Sequence, residues 1–389
     1  MYPNLYYAFR DLFGVEWKFL RFVNSFGFFV AIAFIIAAIV LANELRRKSK
    51  QGLFQPTEMQ VMVGEPASLL DLGLNFLLGF ILGYKIVALF ILDSSATEDP
   101  QAFIFSSLGS WPAGIAFGLL FAGLKWWEKN KQKLDKPEKR IVRIWPHDRV
   151  GELTIIALIF GLLGAKLFDI FENWADFLKH PSDYILSAKG LTFYGGLICA
   201  GLAIWWYAKR HKIGFWHLND AFAPTMMIAY AVGRIGCQVS GDGDWGIENV
   251  KPKPFSWLPD WMWAYKYPHN VNEIGVKIQG CTDTRFCNEL PVAVYPTPLY
   301  EIIVCFILFG IIWAVRKRLK VPGTLFALYL MFNGLERFFI EKIRVNTRLN
   351  IFGFQPTQAE VISTFLFLSG LAIWIVLSQQ AKKANIAGR

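Results

Sequence analysis

Four basic residues, Lys85, Lys166, Arg234 and Arg337, stand inside long apolar runs. An ionisable side chain in such a run costs at least about 2.5–3.5 kcal/mol on insertion scales, so each marks a function or a dedicated partner. Lys85 is placed to snorkel toward a headgroup layer. Lys166 has Asp169 three residues on, a same-face ion pair. Arg337, Glu341 and Arg344 recur at i, i+4 and i+7, which is one stripe of a helix, and Arg234 stands near the end of another apolar run. Two guanidiniums at comparable depth suit a phosphate, because the planar fork matches its oxygens. The charges alone leave two readings: a clamp for an anionic lipid, or arginines that each neutralise a nearby acid.

Other chemistry is weakly signalled. Gly241-Asp242-Gly243-Asp244-Trp245-Gly246 matches G-x-G-x-x-G as a string, but it follows an apolar helix instead of a strand, and two aspartates would repel a pyrophosphate. The same acids with Glu248 fail calcium-loop spacing, so the segment reads as a tight turn. No His/Cys cluster has zinc spacing and no G-x-S-x-G elbow is present; neither a metal nor a cofactor is expected. Cys281 and Cys287 flank a five-residue gap and are expected to form a disulfide if their loop faces an oxidising compartment.

The elements that must carry these residues are membrane helices. AVILMFWYC residues make up 54% of the 389-residue chain and DEKR only 18%, with a mean hydropathy of +0.36. Soluble chains carry about 25% charged residues. Nine stretches approach the roughly 20 apolar residues a crossing needs: 22–43, 69–92, 103–124, 152–172, 190–208, 218–239, 299–315, 322–341 and 358–378. With the amino terminus outside, the inner segments hold 23 Lys and Arg and the outer ones 13, which selects N-out, C-in. The acidic run Asp93–Asp99 then lies outside, and the basic loop 129–143 reads as a solvated topology signal. Clusters of this kind also account for the net charge of +10 without a nucleic-acid partner. Leu5, Phe9, Leu12 and Phe13 recur at helical spacing, which leaves two readings: an interfacial helix on the outer leaflet or a frayed tail. The first long apolar run is too long for a signal-peptide core.

Five ordered motifs resemble the prolipoprotein diacylglyceryl transferase family. Gly233-Arg234-Ile235-Gly236 and the following acidic turn, closed by Gly246, resemble its G-R-x-G-N-F-x-N-G-E signature. Leu191-Thr192-Phe193-Tyr194-Gly195-Gly196-Leu197-Ile198 is similar to S-F-H-G-G-L-I, and Asp220-Ala221-Phe222-Ala223-Pro224 to D-x-x-A-P. Tyr295-Pro296-Thr297-Pro298-Leu299-Tyr300-Glu301 is similar to H-P-S-Q-L-Y-E, and Asn333-Gly334-Leu335-Glu336-Arg337 with Glu341 and Arg344 to Y-G-x-x-R-x-x-x-E-x-x-R.

The resemblance implies an enzyme of the bacterial cytoplasmic (inner) membrane. It moves the diacylglyceryl group of phosphatidylglycerol onto the lipobox cysteine thiol of prolipoprotein signal peptides, at a site facing the outer leaflet. It implies catalytic roles for Arg234, Arg337, Tyr194 and Glu341, and substrate contacts from Gly195, Gly196, Gly233, Gly236, Asp242, Gly246, Tyr300, Glu301, Arg344 and Lys166. It also implies a seven-helix core. The expected organisation is an interfacial segment 1–21, a first core helix 22–43, cytoplasmic loops and an inserted helix pair in 44–151, core helices 152–239, an extracytoplasmic loop region 240–298, core helices 299–378 and a cytoplasmic tail 379–389.

The chain departs from the pattern where a proton acceptor is needed. Tyr194 and Tyr295 replace the family's histidines, Cys237 and Ser240 replace two asparagines, Phe26 stands for an amino-terminal tyrosine, and the turn is one residue longer. An unperturbed tyrosine, with a pKa of about 10, is a poor base at neutral pH. The alternative is a non-catalytic protein that binds or moves phospholipid, having kept the arginines and lost the base.

Overall fold

The computed structural model describes residues 1–91, 103, 106–181, 184, 190, 192–283, 285–346, 350 and 354–387. The acidic run Asp93–Asp99 and Leu191 lie outside the described residues. Nine helices of 18 residues or more occur among those described. They are α2 (Ser25–Lys50), α3 (Leu69–Ile91), α4 (Trp111–Lys131), α5 (Val150–Glu172), α6 (Phe193–Arg210), α7 (Phe215–Ser240), α8 (Thr297–Val315), α9 (Thr324–Glu341) and α10 (Gln358–Ala387), preceded by a short α1 (Leu5–Phe13). Five helical spans, Ser25–Lys50, Leu69–Ile91, Pro146–Glu172, Thr297–Val315 and Gln358–Lys383, are long and apolar enough to cross a membrane. Their lipid-side residues, among them Ile35, Leu74, Leu158 and Phe365, are exposed, as a bilayer-embedded helix requires.

The long helices divide by how they approach their neighbours. The α7 helix is central, packed against α2, α8 and α9, and α9 packs on α10. The α5–α6 pair is held by small residues: a Cβ on Gly195 would come 2.4 Å from Phe168 Cβ, and one on Gly196 2.8 Å from the Gly161 carbonyl. Small residues let helix backbones approach this closely in lipid. The α3–α4 pair is built the same way, with Gly79 under the Phe117 carbonyl.

A strand β1 (Thr57–Val63) pairs antiparallel with β2 (Glu138–Ile144), from Thr57 opposite Ile144 to Val63 opposite Glu138. The basic loop 129–143 is therefore not merely a solvated run. Its distal part is a strand whose partner lies some eighty residues away, a pairing no local charge pattern announces. The Lys85 ammonium donates to the carbonyls of Phe103 (2.8 Å), Ser106 (2.7 Å) and Leu108 (2.9 Å), satisfying the loop that leads into α4. The helix α4 of the third apolar stretch begins at Trp111.

At the end of the bundle where α2 stops and α9 starts, Asp220 of α7 accepts from the backbone N–H of Gly323 (3.0 Å) and Phe326 (3.1 Å) and pairs with Lys48 (3.4 Å). A carboxylate at a helix amino terminus satisfies otherwise orphaned donors, so the D-x-x-A-P stretch seats the helix that carries Arg337. At the opposite end, residues 241–296 form a cap containing a two-residue ribbon, β3 (Val276–Lys277) with β4 (Asn288–Glu289). A disulfide joins Cys281 to Cys287 in this cap, their Cα atoms 5.8 Å apart. Arg10 of α1 donates to both oxygens of Asp283 (2.7 and 3.1 Å), and that contact holds the Asp283 carboxyl below its usual range. The stripe of α1 divides: Leu5 and Phe9 are half-buried while Leu12 and Phe13 stay exposed, and the buried residues of the helix are Tyr6 and Tyr7, off that stripe.

Candidate active site

Where α7, α8 and α9 meet beneath the cap, three arginines and three acids interlock. Glu301, one turn into α8, is the hub. Its fully buried carboxylate takes Arg234 Nε at 2.8 Å, Arg337 Nη1 at 3.3 Å and the Tyr230 hydroxyl at 3.1 Å, with Arg344 Nη1 at 3.7 Å. Arg337 also reaches Glu341 Oε2 at 2.9 Å, and Asn346 donates to the other oxygen of Glu341. Asp244 of the cap receives Arg344 Nη2 at 2.6 Å on one oxygen and Arg234 on the other. Burial disfavours the charge on Asp244, but Arg234 and then Arg344 outweigh it, so this carboxyl titrates below the usual range. Asp242 goes the other way: burial, and then the charge of Asp244, raise it.

The lattice answers the two readings of the charges together. The arginines do neutralise acids, yet they do so on one another's acids, so three guanidiniums are held in fixed orientation around one point. Breaking a buried pair by removing one partner typically costs about 3–5 kcal/mol, because the other charge is left uncompensated. Such a lattice is stiff, and preorganised cations of this kind stabilise developing negative charge.

Several expected positions shift. Arg344 is not on the helical stripe of Arg337 and Glu341, because α9 ends at Glu341. It lies beyond the helix, in an extended bridge with Gly246, and reaches the lattice from that side. Arg234 lies six residues before the end of α7 and not at its terminus. Lys166 pairs with Asp169 at 3.5 Å and lies 3.5 Å from the Gly190 carbonyl, an ion pair of α5 and not a member of the lattice. Gly195 and Gly196 serve the α5–α6 contact.

Tyr194 shows no described hydrogen bond or ion pair with any lattice residue; its ring lies edge-on to Phe193. Tyr295 is buried edge-on to Trp263. The Tyr300 hydroxyl donates to the Met262 carbonyl at 2.9 Å, fastening the cap. Gly233 has open space where a Cβ would stand, and Gly236 packs against Phe26 and Phe29 of α2. Asp242 serves its own turn, accepting from the Asp244 backbone N–H, while its carbonyl takes the Asn272 amide.

Gly246 is where three segments close on one another. Its N–H donates to the Tyr295 carbonyl (2.9 Å), and the next N–H, of Ile247, donates to Ile343 (2.8 Å). A Cβ there would fall 2.4 Å from the Ile343 carbonyl oxygen. Gly246→Ala should therefore lower stability by about 1–3 kcal/mol, the usual cost of overpacking, and shift Arg344 out of register. Thermal unfolding of the purified variant measures this, and an unchanged midpoint would mean the three segments are not held so closely.

Sequence reasoning missed three members of the site. Asp244 reads in the sequence as part of a turn: forward spacing from Arg234 points to Asp242, and the one extra residue of the turn moves that only to Gly243, so no spacing singles Asp244 out. Tyr230 lies one helical turn before Arg234, whose guanidinium sits 5.2 Å over its ring. Glu336 is buried beside the lattice, with Glu301, Arg234 and Arg337 as charged neighbours and the Tyr230 hydroxyl next to its carboxylate.

The chain is similar to known proteins over this region. A family model described as prolipoprotein diacylglyceryl transferase matches residues 113–376. A phosphatidylglycerol–prolipoprotein diacylglyceryl transferase of Dehalococcoides mccartyi strain BAV1 is 26% identical over 74% of this chain and 96% of its own length. Another, of strain 195, is 27% identical over 61% of this chain and 81% of its own. One of Pseudomonas aeruginosa is 26% identical over 61% and 80%. With well over half of its length matched, and with the lattice residues inside that match, the chain belongs to the prolipoprotein diacylglyceryl transferase family.

Proposed function

We propose that this membrane protein transfers the diacylglyceryl group of phosphatidylglycerol to the lipobox cysteine of prolipoproteins, and that the Arg234–Arg337–Arg344 lattice is its reaction centre. The cysteine sulfur forms a bond to the terminal glyceryl carbon as the bond from that carbon to the phosphate oxygen breaks. The thiol proton is released, and glycerol phosphate departs with the new negative charge on its phosphate. That charge is the chemical demand, and convergent arginines are the observation that carries the assignment. Charge-assisted hydrogen bonds to phosphate are among the strong ones, and a positive field also favours thiolate over thiol.

The topology that goes with it has nine crossings, N-out and C-in, in the bacterial inner membrane, with the cap and the lattice on the outer side. The α3–α4 pair is an insertion in a seven-helix core: its helices pack chiefly on each other and are tied to the remainder through the turn Lys18–Phe22 and the β1–β2 ribbon. Gly233 borders the lattice where lipid can approach, and Glu341 and Glu301 orient Arg337.

The deciding experiment incubates the purified protein with phosphatidylglycerol and a lipobox peptide. Transfer adds the diacylglyceryl mass to the peptide cysteine and releases glycerol phosphate. Lipid binding with neither product would instead favour a non-catalytic lipid protein. Tyr194→Phe should keep turnover within a few fold of wild type, because its hydroxyl touches nothing in the lattice. A tyrosine acting as the base would lose about 10²–10⁴ on this change, so a loss of that size in the same assay would place the proton acceptor on α6.

A further inference from the structure

The three acids of the lattice are not equivalent. The carboxylates of Glu301 and Glu341 are fully buried, whereas the Asp244 side chain is 34% exposed. Asp244 also presents each of its oxygens to a different guanidinium, Arg234 on one side and Arg344 on the other. Two oxygens bridging two arginines is the arrangement a phosphate would adopt there. The surroundings offer more donors than a carboxylate can use: Arg344 Nε and Nη1 make no hydrogen bond among the described residues, although Arg344 is only 10% exposed. Nη1 has only the longer ion pair with Glu301 at 3.7 Å; buried guanidinium donors short of hydrogen bonds are costly, and an anion with a third oxygen would supply one.

We propose that Asp244 is the resident counter-ion of the phosphate subsite. Its carboxylate fills, between Arg234 and Arg344, the position that the phosphate of the lipid donor takes, and it returns there as glycerol phosphate leaves. This deepens the transferase assignment and depends on it for the identity of the phosphate.

The local geometry allows the exchange without opening the cap. The Asp244 carbonyl accepts from the Thr297 hydroxyl at 2.6 Å and its N–H donates to Asp242 at 3.3 Å. The backbone is pinned, and only rotation about the Cα–Cβ bond is required. Arg337 has no such freedom, being locked between Glu301 and Glu341, which makes it a positioning residue for the subsite.

Charge arithmetic supplies the purpose. With Asp244 in place, the lattice pairs three guanidiniums with the three carboxylates of Glu301, Glu341 and Asp244, with Glu336 as a fourth acid beside them. The phosphodiester donor carries one negative charge, whereas a phosphate monoester carries about 1.5 to 2 at neutral pH. The product would therefore be held more tightly than the donor unless another anion competed for the same arginines.

The test compares wild type, Asp244→Asn, Asp244→Ser and Asp244→Glu as full-length protein in nanodiscs. In phosphatidylcholine discs, calorimetry with free glycerol phosphate should give about tenfold tighter binding for the Asn and Ser variants, equivalent to about 1.4 kcal/mol, and near wild-type affinity for Glu. In discs containing phosphatidylglycerol, the two neutral variants should show a lower KM for lipid, a lower kcat and inhibition by glycerol phosphate at about a tenth of the wild-type concentration. Unchanged or weaker glycerol phosphate binding in whichever neutral variant folds overturns the proposal, and would mean that Asp244 only orients its arginines. The calorimetric arm needs no turnover. A wild type that binds glycerol phosphate but transfers nothing would count against the transferase assignment, while the variants would still decide the role of Asp244.

Discussion

Arg337→Ala is expected to abolish transfer and to destabilise the protein together. Its guanidinium is the sole described partner of one Glu341 oxygen and one of several on Glu301. Removing it leaves two buried carboxylates short of compensation, a loss of about 3–5 kcal/mol. A lattice relaxed in this way no longer fixes Arg234 and Arg344 at the phosphate. Arg337→Lys should rescue poorly, because a single ammonium cannot hold the two glutamates that the guanidinium reaches through separate nitrogens. Transfer rate and thermal midpoint measured on the same preparations check this. Near-normal turnover in a well-folded Arg337→Ala protein would show that the α9 stripe has no part in catalysis.

Arg234→Ala should cost about 10²–10³ in kcat, the loss of about 2.7–4 kcal/mol seen when one preorganised donor to a developing negative charge is removed. The effect should fall on kcat more than on KM, since an interaction made chiefly to the leaving phosphate strengthens as that charge develops. Arg234→Lys should recover little: Nε serves Glu301 while Nη1 serves Asp244, and lysine offers one nitrogen for both tasks. Steady-state kinetics with phosphatidylglycerol and a lipobox peptide decide it. A change confined to KM would mean that Arg234 holds the resting headgroup and does not stabilise the departing phosphate.

These two arginines were legible in the sequence because a charge inside an apolar run is anomalous without reference to anything else. Glu301 was legible only through the motif around it, and its importance was not, because nothing local says that a glutamate one turn into α8 will meet arginines from α7, α9 and the chain beyond α9. Tyr194 illustrates the converse. A motif placed it at the chemistry, yet the close approach of α5 and α6 at Gly195 and Gly196 sets α6 by its packing on α5, and the tyrosine hydroxyl makes no described contact with the lattice.

The sequence by itself determined that this chain is a bundle of membrane helices carrying misplaced charges near one end. Hydropathy and helix length are local properties, and a bilayer leaves a polar backbone little choice but to satisfy itself within each helix. The family motifs followed from the same string. Only the tertiary structure decided which acid meets which arginine: that Glu301 is the hub, that Asp244 and not Asp242 closes the lattice, that Arg344 arrives from a single bridge with Gly246 beyond α9, and that β1 finds β2 across the α3–α4 pair. Each is a contact between segments tens of residues apart. Its existence depends on helix crossing, backbone approach and side-chain reach acting together, and none of these leaves a period or a spacing in the sequence.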